Sequence, residues 1–108
     1  MKTLTWYISA IGPGTSQREI YRLDGSYAPV RAWMHVATAP TAQEIIIDIN
    51  VDGVSIFSYQ PRMRNEQDVD AADFATTQFS KDSLVSLDID QADGIAQGLT
   101  VGLEIEET

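Results

Sequence analysis

Apolar and polar residues alternate with a period of two along most of the chain, whereas the 3.6-residue period of a helix is nearly absent. The alternation runs through residues 3–10, 30–37, 45–51, 85–90 and 99–106. A period of two places successive side chains on opposite faces of a strand, so each segment predicts a β-strand. The short charged segment REIYRL at 18–23 is typical of an edge strand, and residues 74–79 are read as a further short strand.

Turn signals separate these segments. They are GPGTS at 12–16, DGS at 24–26, AP at 39–40, and the Asp-Gly pairs at 52–53 and 93–94. Glycine and aspartate supply the positive φ of tight turns, and proline cannot donate to a ladder. Residues 60–72 combine dense charge with no sustained period and are predicted to be a long loop.

The stretch DINVDG at 48–53 also matches the opening of a calcium loop. In an EF-hand, however, the twelfth position carries a glutamate that closes the loop, and here it is Tyr59. The β-branched residues on both sides are unsuited to the helices that flank such a loop. We therefore predict a type I′ hairpin turn at Asp52 and Gly53. This hairpin places Phe57 opposite Asp48, as an exposed aromatic that is a candidate for a contact surface.

Strands without helices need a second sheet to bury their apolar faces. The prediction is a single all-β domain over residues 1–108, an antiparallel β-sandwich of about seven or eight strands, either jelly-roll-like or immunoglobulin-like. Because strand ends meet in such a fold, Asp52 and Asp93 could share a calcium ion if their turns lie at the same end. No other cofactor is expected.

Charge limits the choice of partners. The chain has sixteen acidic and seven basic residues, a net charge of −9 and no cysteine. This charge repels nucleic acid phosphates and anionic lipid headgroups. No apolar run approaches the roughly 20 residues that cross a bilayer, and the first residues do not resemble a signal peptide, so neither membrane insertion nor export is expected.

Few residues suggest chemistry. The only histidine, His35, has no partner nucleophile in a recognisable motif, and the alternating acids read as the wet face of a strand, so no enzyme activity is expected. Arg31, Trp33 and His35 share one strand face, which suits a subunit interface or a sugar. With the opposite orientation Trp33 is a core residue. Arg62 and Arg64, in the predicted loop, either contact an acidic neighbour subunit or are solvated.

Several segments resemble, in order, a group of small phage virion proteins. They are VRA at 30–32, TAPT at 38–41, IIIDINVDGVSIFS at 45–58, DSLVSLDIDQADG at 82–94 and GLTVGLEI at 98–105. The resemblance covers about residues 28–106 and implies a non-enzymatic structural β-sandwich on a phage particle, as a fibre, spike or decoration module. It further implies a homo-oligomer, with a trimer favoured, that contacts other virion proteins. Recognition of host surface glycans, assisted by calcium, is the alternative.

Overall fold

A computed structural model describes residues 1–15 and 17–108. Within these residues there are nine strands and no helix, and therefore no helix that could span a membrane. The strands are β1 (Lys2–Ala10), β2 (Tyr21–Arg22), β3 (Tyr27–Thr38), β4 (Ile45–Val51), β5 (Val54–Ser55), β6 (Arg62–Met63), β7 (Asp68–Ala71), β8 (Leu84–Gln91) and β9 (Gln97–Glu107). The all-β prediction is confirmed.

The strands form two antiparallel sheets. The four-stranded sheet has the order β1-β9-β3-β7, and the five-stranded sheet has the order β2-β8-β4-β5, with β6 also pairing with β4. The pairs β1–β9, β2–β8, β3–β7 and β4–β6 are nested inside one another around the β4–β5 turn. The chain is therefore one long hairpin that is rolled up so that β9 also meets β3 and β8 also meets β4.

This arrangement is a jelly roll. In an immunoglobulin domain the first two strands share a sheet, whereas here β1 and β2 lie in opposite sheets. Of the two architectures expected from the sequence, the jelly roll is the one observed.

The core lies between the sheets and is formed by the alternate apolar residues of the long strands. Its largest fully buried side chains are Trp6, Phe79, Met34, Ile45, Ile47, Ile49, Ile56, Met63, Leu87, Ile89, Leu99 and Leu103. Each such side chain contributes about 1.5–3 kcal/mol through removal of apolar surface from water. The polar nitrogen of the buried Trp6 side chain has a hydrogen-bond partner: Nε1 donates to the carbonyl of Glu19 at 2.8 Å.

The predicted hairpin turn is confirmed. Asp52 and Gly53 have φ of 52° and 82°, the positive values that a type I′ turn requires at both central positions. Val51 pairs with Val54, but β5 ends at Ser55, so the hairpin is shorter than expected.

Two segments differ from the prediction. The predicted loop at 60–72 contains β6 and β7, and β7 pairs with β3 through only four residues, too few for a period to be visible among the charges. The predicted strand at 74–79 forms isolated bridges only, from Phe74 to Phe57 and from Phe79 to Tyr27. In the predicted turn at 12–16, Gly14 forms a bridge with Ile89, and Ser16 lies outside the described residues.

Candidate functional site

The outer face of the four-stranded sheet carries the side chains of β1, β9, β3 and β7 that point away from the core. Arg31, Trp33 and His35 lie on it, because Ala32, Met34 and Val36, which alternate with them, are buried. The orientation predicted for this strand is therefore right from Arg31 onwards. A β-bulge between Pro29 and Arg31 interrupts the alternation, and Val30 is exposed.

Trp33 is the centre of the outer face. It is half-buried, and its indole occupies the space beside Gly102 of the neighbouring strand β9, with which it is in register. A Cβ on Gly102 would lie 2.2 Å from Cε2 and 2.5 Å from Nε1 of Trp33. Only glycine gives the ring this space, so one side of the indole rests on the backbone and the ring is held in place.

Contacts with carboxylates hold the side chains on either side of this tryptophan. Arg31 contacts Glu104 at 2.6 Å and Asp70 at 3.2 Å, and His35 Nδ1 lies 2.7 Å from Asp68 Oδ1. The hydrogen bond with Glu104 raises the pKa of Arg31 above its ordinary value. Both basic residues are thus oriented by acids of the two neighbouring strands.

Charge is unevenly distributed over the outer face. On β1 the side chains that alternate with the core residues belong to Thr3, Thr5, Tyr7 and Ser9, all exposed and uncharged, and Tyr7 is 57% exposed. On the β7 side the exposed residues are the carboxylates Asp68 and Asp70. The outer face therefore changes from uncharged to ionic across its width, with Trp33 between the two halves.

The structure contradicts the prediction that Phe57 is exposed. Its side chain is 6% exposed and stacks on Phe74, with the ring centroids 5.6 Å apart. The amide of Ile56 still donates to the carbonyl of Ile49 on β4, but the next residues meet the segment after β7, where the Ser58 amide donates to the carbonyl of Asp73. Phe57 is a core residue and does not belong to a contact surface.

Arg62 and Arg64 lie in and after β6. The Arg62 guanidinium carbon lies 4.6 Å from the centre of the Tyr59 ring, and Arg62 Nη1 is 3.9 Å from Glu44. Arg64 is exposed, and its Nε donates to the carbonyl of Thr41 at 3.2 Å. Both residues therefore have contacts within their own chain.

A pocket of about 250 Å³ opens beside Arg62. Its lining residues are Tyr59, Gln60, Pro61, Arg62, Val69, Asp70, Ala71, Ala72 and Asp73. The pocket lies where β6 of one sheet approaches β7 of the other, so it is formed by the corner that the sequence had suggested to be a loop.

Asp52 and Asp93, the calcium candidates, lie far apart. Asp52 follows the end of β4 that pairs with the start of β8, whereas Asp93 follows the end of β8. Asp52 bonds with Leu84, the first residue of β8, so the eight residues of this strand place the two turns more than roughly 20 Å apart at about 3.3 Å per residue. The prediction that these turns share one end is wrong, since antiparallel pairing of β4 with β8 separates them.

Each of these aspartates binds backbone instead. Asp52 Oδ1 accepts the amide of Leu84 at 2.9 Å. Asp93 is 2% exposed, and Oδ1 accepts the amide of Ile95, while Oδ2 accepts three amides, those of Thr41, Ala42 and Gln43. These bonds lower the pKa of Asp93 to about 2, the bond from Ile95 contributing most. Asp93 ties the loop before β4 to the turn after β8.

The DIN and DID stretches are neighbours in the five-stranded sheet, where Asp48 is directly opposite Asp88. Partial burial, with Asp90 and Asp88 nearby, raises the pKa of Asp48. Hydrogen bonds from uncharged side chains offset the repulsion between these three carboxylates. Asp48 accepts from Ser55 at 2.5 Å, Asp88 from Asn50 at 2.8 Å, and Asp90 from Gln60 at 2.5 Å. Among the residues that the structure describes, no three His, Asp or Glu side chains are arranged to hold a metal ion.

Two residues of the candidate sites, Gly102 and Tyr59, were not identified as site residues from the sequence. Gly102 was counted only as a polar-face position of a strand, although a lone glycine in a strand signals close approach by another group. Tyr59 was noted only as the residue that fails to close a calcium loop. Comparison with protein-family models, with curated proteins and with solved structures finds no match for the chain.

Proposed function

We propose that this chain is a non-enzymatic accessory protein of a phage particle, a head or tail spike, fibre or decoration module that acts by protein–protein contact through the outer face. The phage setting is supported by the resemblance of its sequence segments to small virion proteins. The contact mode is supported by one observation, the indole of Trp33 packed against Gly102 between the side chains of Arg31 and His35, which contact carboxylates.

Tryptophan and arginine are over-represented among the residues that dominate binding energy at interfaces. A side chain that is already held in one conformation loses little entropy when a partner covers it. Trp33 and Arg31 satisfy both conditions, because the glycine and the carboxylates restrict them before contact. The outer face is therefore prepared for a partner.

The size of the domain is sufficient for such a contact. Its principal extents are 39 × 21 × 20 Å, so one broad side of the sandwich is comparable with the roughly 800 Å² that each partner buries in a standard interface. The partners that we propose are further copies of this chain and other virion proteins.

Light scattering on the purified protein tests the proposal. We expect an assembly larger than the monomer and expect Trp33→Ala to weaken the contact roughly 30-fold, the effect of losing a residue worth about 2 kcal/mol. Tyr59→Ala is the matched control, because Tyr59 is 58% exposed but lies outside the outer face. An unchanged mass for Trp33→Ala, or a wild-type monomer at high concentration, would contradict the proposal.

The pocket beside Arg62 favours a second candidate function, recognition of host glycans. It combines an exposed aromatic ring, the amide of Gln60 and the carboxylates of Asp70 and Asp73, which are groups that suit the apolar faces and hydroxyls of sugars. Glycan-array binding that is lost in Tyr59→Ala and retained in Trp33→Ala would support it. Absence of binding to any glycan would rule out this second function.

A further inference from the structure

The edge strand β1 is unusual among the sheet edges of this fold. Natural proteins protect edges by keeping them short, by charging them or by placing proline in them, because unpaired backbone groups recruit other strands. In the described part of the chain, β2, β5 and β6 have two residues each, and β7 has four with two aspartates. β1 has nine residues, no proline or glycine, and a single charge, on Lys2.

Hydrogen bonding shows which backbone groups of β1 point away from the sheet. The carbonyl of Thr5 accepts the Tyr21 hydroxyl at 2.5 Å, so it faces outward from β9. The amide of Val36 donates to Gln67, on the β7 side of β3, which makes Val36 and Leu99 a pair without hydrogen bonds between them.

Hydrogen-bonded and non-hydrogen-bonded pairs alternate along an antiparallel ladder. Leu99 therefore bonds to Ile8 on β1, and the amides and carbonyls of the odd-numbered residues of β1 point outward. These residues are Thr3, Thr5, Tyr7 and Ser9. The outward row is the hydrogen-bonding pattern that an added antiparallel strand requires.

We propose that β1 pairs with β1 of a second copy of this chain, antiparallel and about a two-fold axis at Trp6. Thr5 then bonds with Tyr7 of the other copy, and Thr3 with Ser9, in about eight backbone hydrogen bonds. The Thr5 carbonyl keeps its bond to Tyr21, since a carbonyl oxygen has two lone pairs. The two four-stranded sheets become one sheet of eight strands.

Charge identifies the partner as another copy. The chain has a net charge of −9, yet from Thr3 to Ala10 no charged residue is present, and Lys2 is paired with Asp24 at 3.1 Å. Two β1 strands can therefore meet without placing carboxylates opposite one another. Two β7 strands could not, because Asp68 and Asp70 would face their copies, and like charges directly opposite are destabilising. Added salt is expected to tighten the β1 contact, since it screens the repulsion between the two acidic domains.

This inference goes beyond the proposed function, because it adds a contact between copies at the sheet edge to the contact through the outer face. A two-fold axis perpendicular to the sheet keeps both outer faces on the same side, so pairing doubles the surface that contains Trp33. It also predicts an even-numbered assembly in place of the trimer that the resemblance favours.

Thr5→Pro tests the pairing. The Thr5 amide points outward, so proline removes a donor from the free edge and leaves the β1–β9 ladder complete. Thr5→Ala is the matched control, because it removes the same side chain and keeps the outward amide. We compare the variants by light scattering in the Trp33→Ala background, where the contact through the outer face is weakened. We expect a dimer for Trp33→Ala alone and combined with Thr5→Ala, and a folded monomer when it is combined with Thr5→Pro, with folding checked by circular dichroism. A folded Thr5→Pro protein that remains a dimer in this background would overturn the proposal.

Amide hydrogen exchange provides a second measurement that does not depend on a variant. The amides of Thr3, Thr5, Tyr7 and Ser9 should exchange slowly in concentrated wild-type protein and fast in dilute protein. Equal, fast exchange at both concentrations would refute the pairing even if Thr5→Pro failed to fold. If Trp33→Ala lowers the mass and Thr5→Pro does not, the β1 pairing is wrong while the contact through the outer face stands; the reverse result rejects the outer face and retains β1.

Discussion

Replacing Gly102 by alanine is expected to destabilise the protein, although alanine is ordinarily the better residue within a strand. The new Cβ would lie 2.2 Å from Cε2 and 2.3 Å from Cζ2 of Trp33, where ordinary contacts are 3.4–4 Å. The indole must therefore move off β9 or the strands must separate. Overpacking of this kind costs about 1–3 kcal/mol.

The same substitution should have the opposite sign once the indole is absent. In a Trp33→Ala background nothing occupies the space above Gly102, and replacing a strand glycine by alanine stabilises by about 0.5–1 kcal/mol. A double-mutant cycle on Gly102→Ala and Trp33→Ala should therefore give a coupling of about 1.5–4 kcal/mol.

Thermal and chemical denaturation of the four proteins measures this coupling. For a domain of about 100 residues, each kcal/mol shifts Tm by roughly 4–8 °C, so both signs are resolvable. Fluorescence adds a local signal, because Trp6 is fully buried and a change in emission therefore reports on Trp33. Additive free energies, within about 0.5 kcal/mol, would show that the ring does not rest on Gly102.

Three further substitutions test other parts of the structure. Phe57→Ala should lower the free energy of unfolding by about 3–5 kcal/mol, as for a buried aromatic, and a small change in denaturation midpoint would show that Phe57 is exposed after all. Asp93→Asn should destabilise the protein at neutral pH. Because the pKa of Asp93 is about 2 when folded against an ordinary 3.8, the carboxylate stabilises the folded state above 3.8, and this contribution is lost as the pH falls towards 2. The variant should therefore show a flatter dependence of stability on pH in that window, and an unchanged slope would contradict the four amide bonds. Asp48→Asn should stabilise by about 0.2–1 kcal/mol at neutral pH, since it removes a like-charge pair with Asp88. The pKa of Asp48 is raised on folding, so this gain should vanish at acid pH, where the wild-type carboxyl is protonated; a gain that persists there would have another cause.

The long strands could be predicted from the sequence, because one face of each is buried along several residues. β1, β3, β4, β8 and β9 have seven to twelve residues each, so their period of two is visible in the sequence. β6 and β7 have two and four residues and are specified by their partners β4 and β3. Their pairing is a tertiary effect, and no local pattern encodes it.

The candidate site was predictable in its position and not in its contacts. Alternation along β3 was sufficient to place Arg31, Trp33 and His35 together on one face. The packing of the indole depends on the register between β3 and β9, which brings Gly102 beside Trp33. Phe57 was misplaced for a related reason: extending the hairpin ladder past Ser55 assumed pairing that the segment around Phe74 replaces.

The nested pairing of strands has a consequence for how the domain folds. Lys2 pairs with Ile105, and β9 lies between β1 and β3, so the last strand of the fold joins the first strand to the rest of its sheet. Contacts between residues so distant in sequence close large loops and slow folding. During synthesis β1 therefore has no ladder partner until β9 has left the ribosome. Its threonine-rich sequence, with apolar side chains at alternate positions, makes this interval the stage at which the chain is most exposed to aggregation.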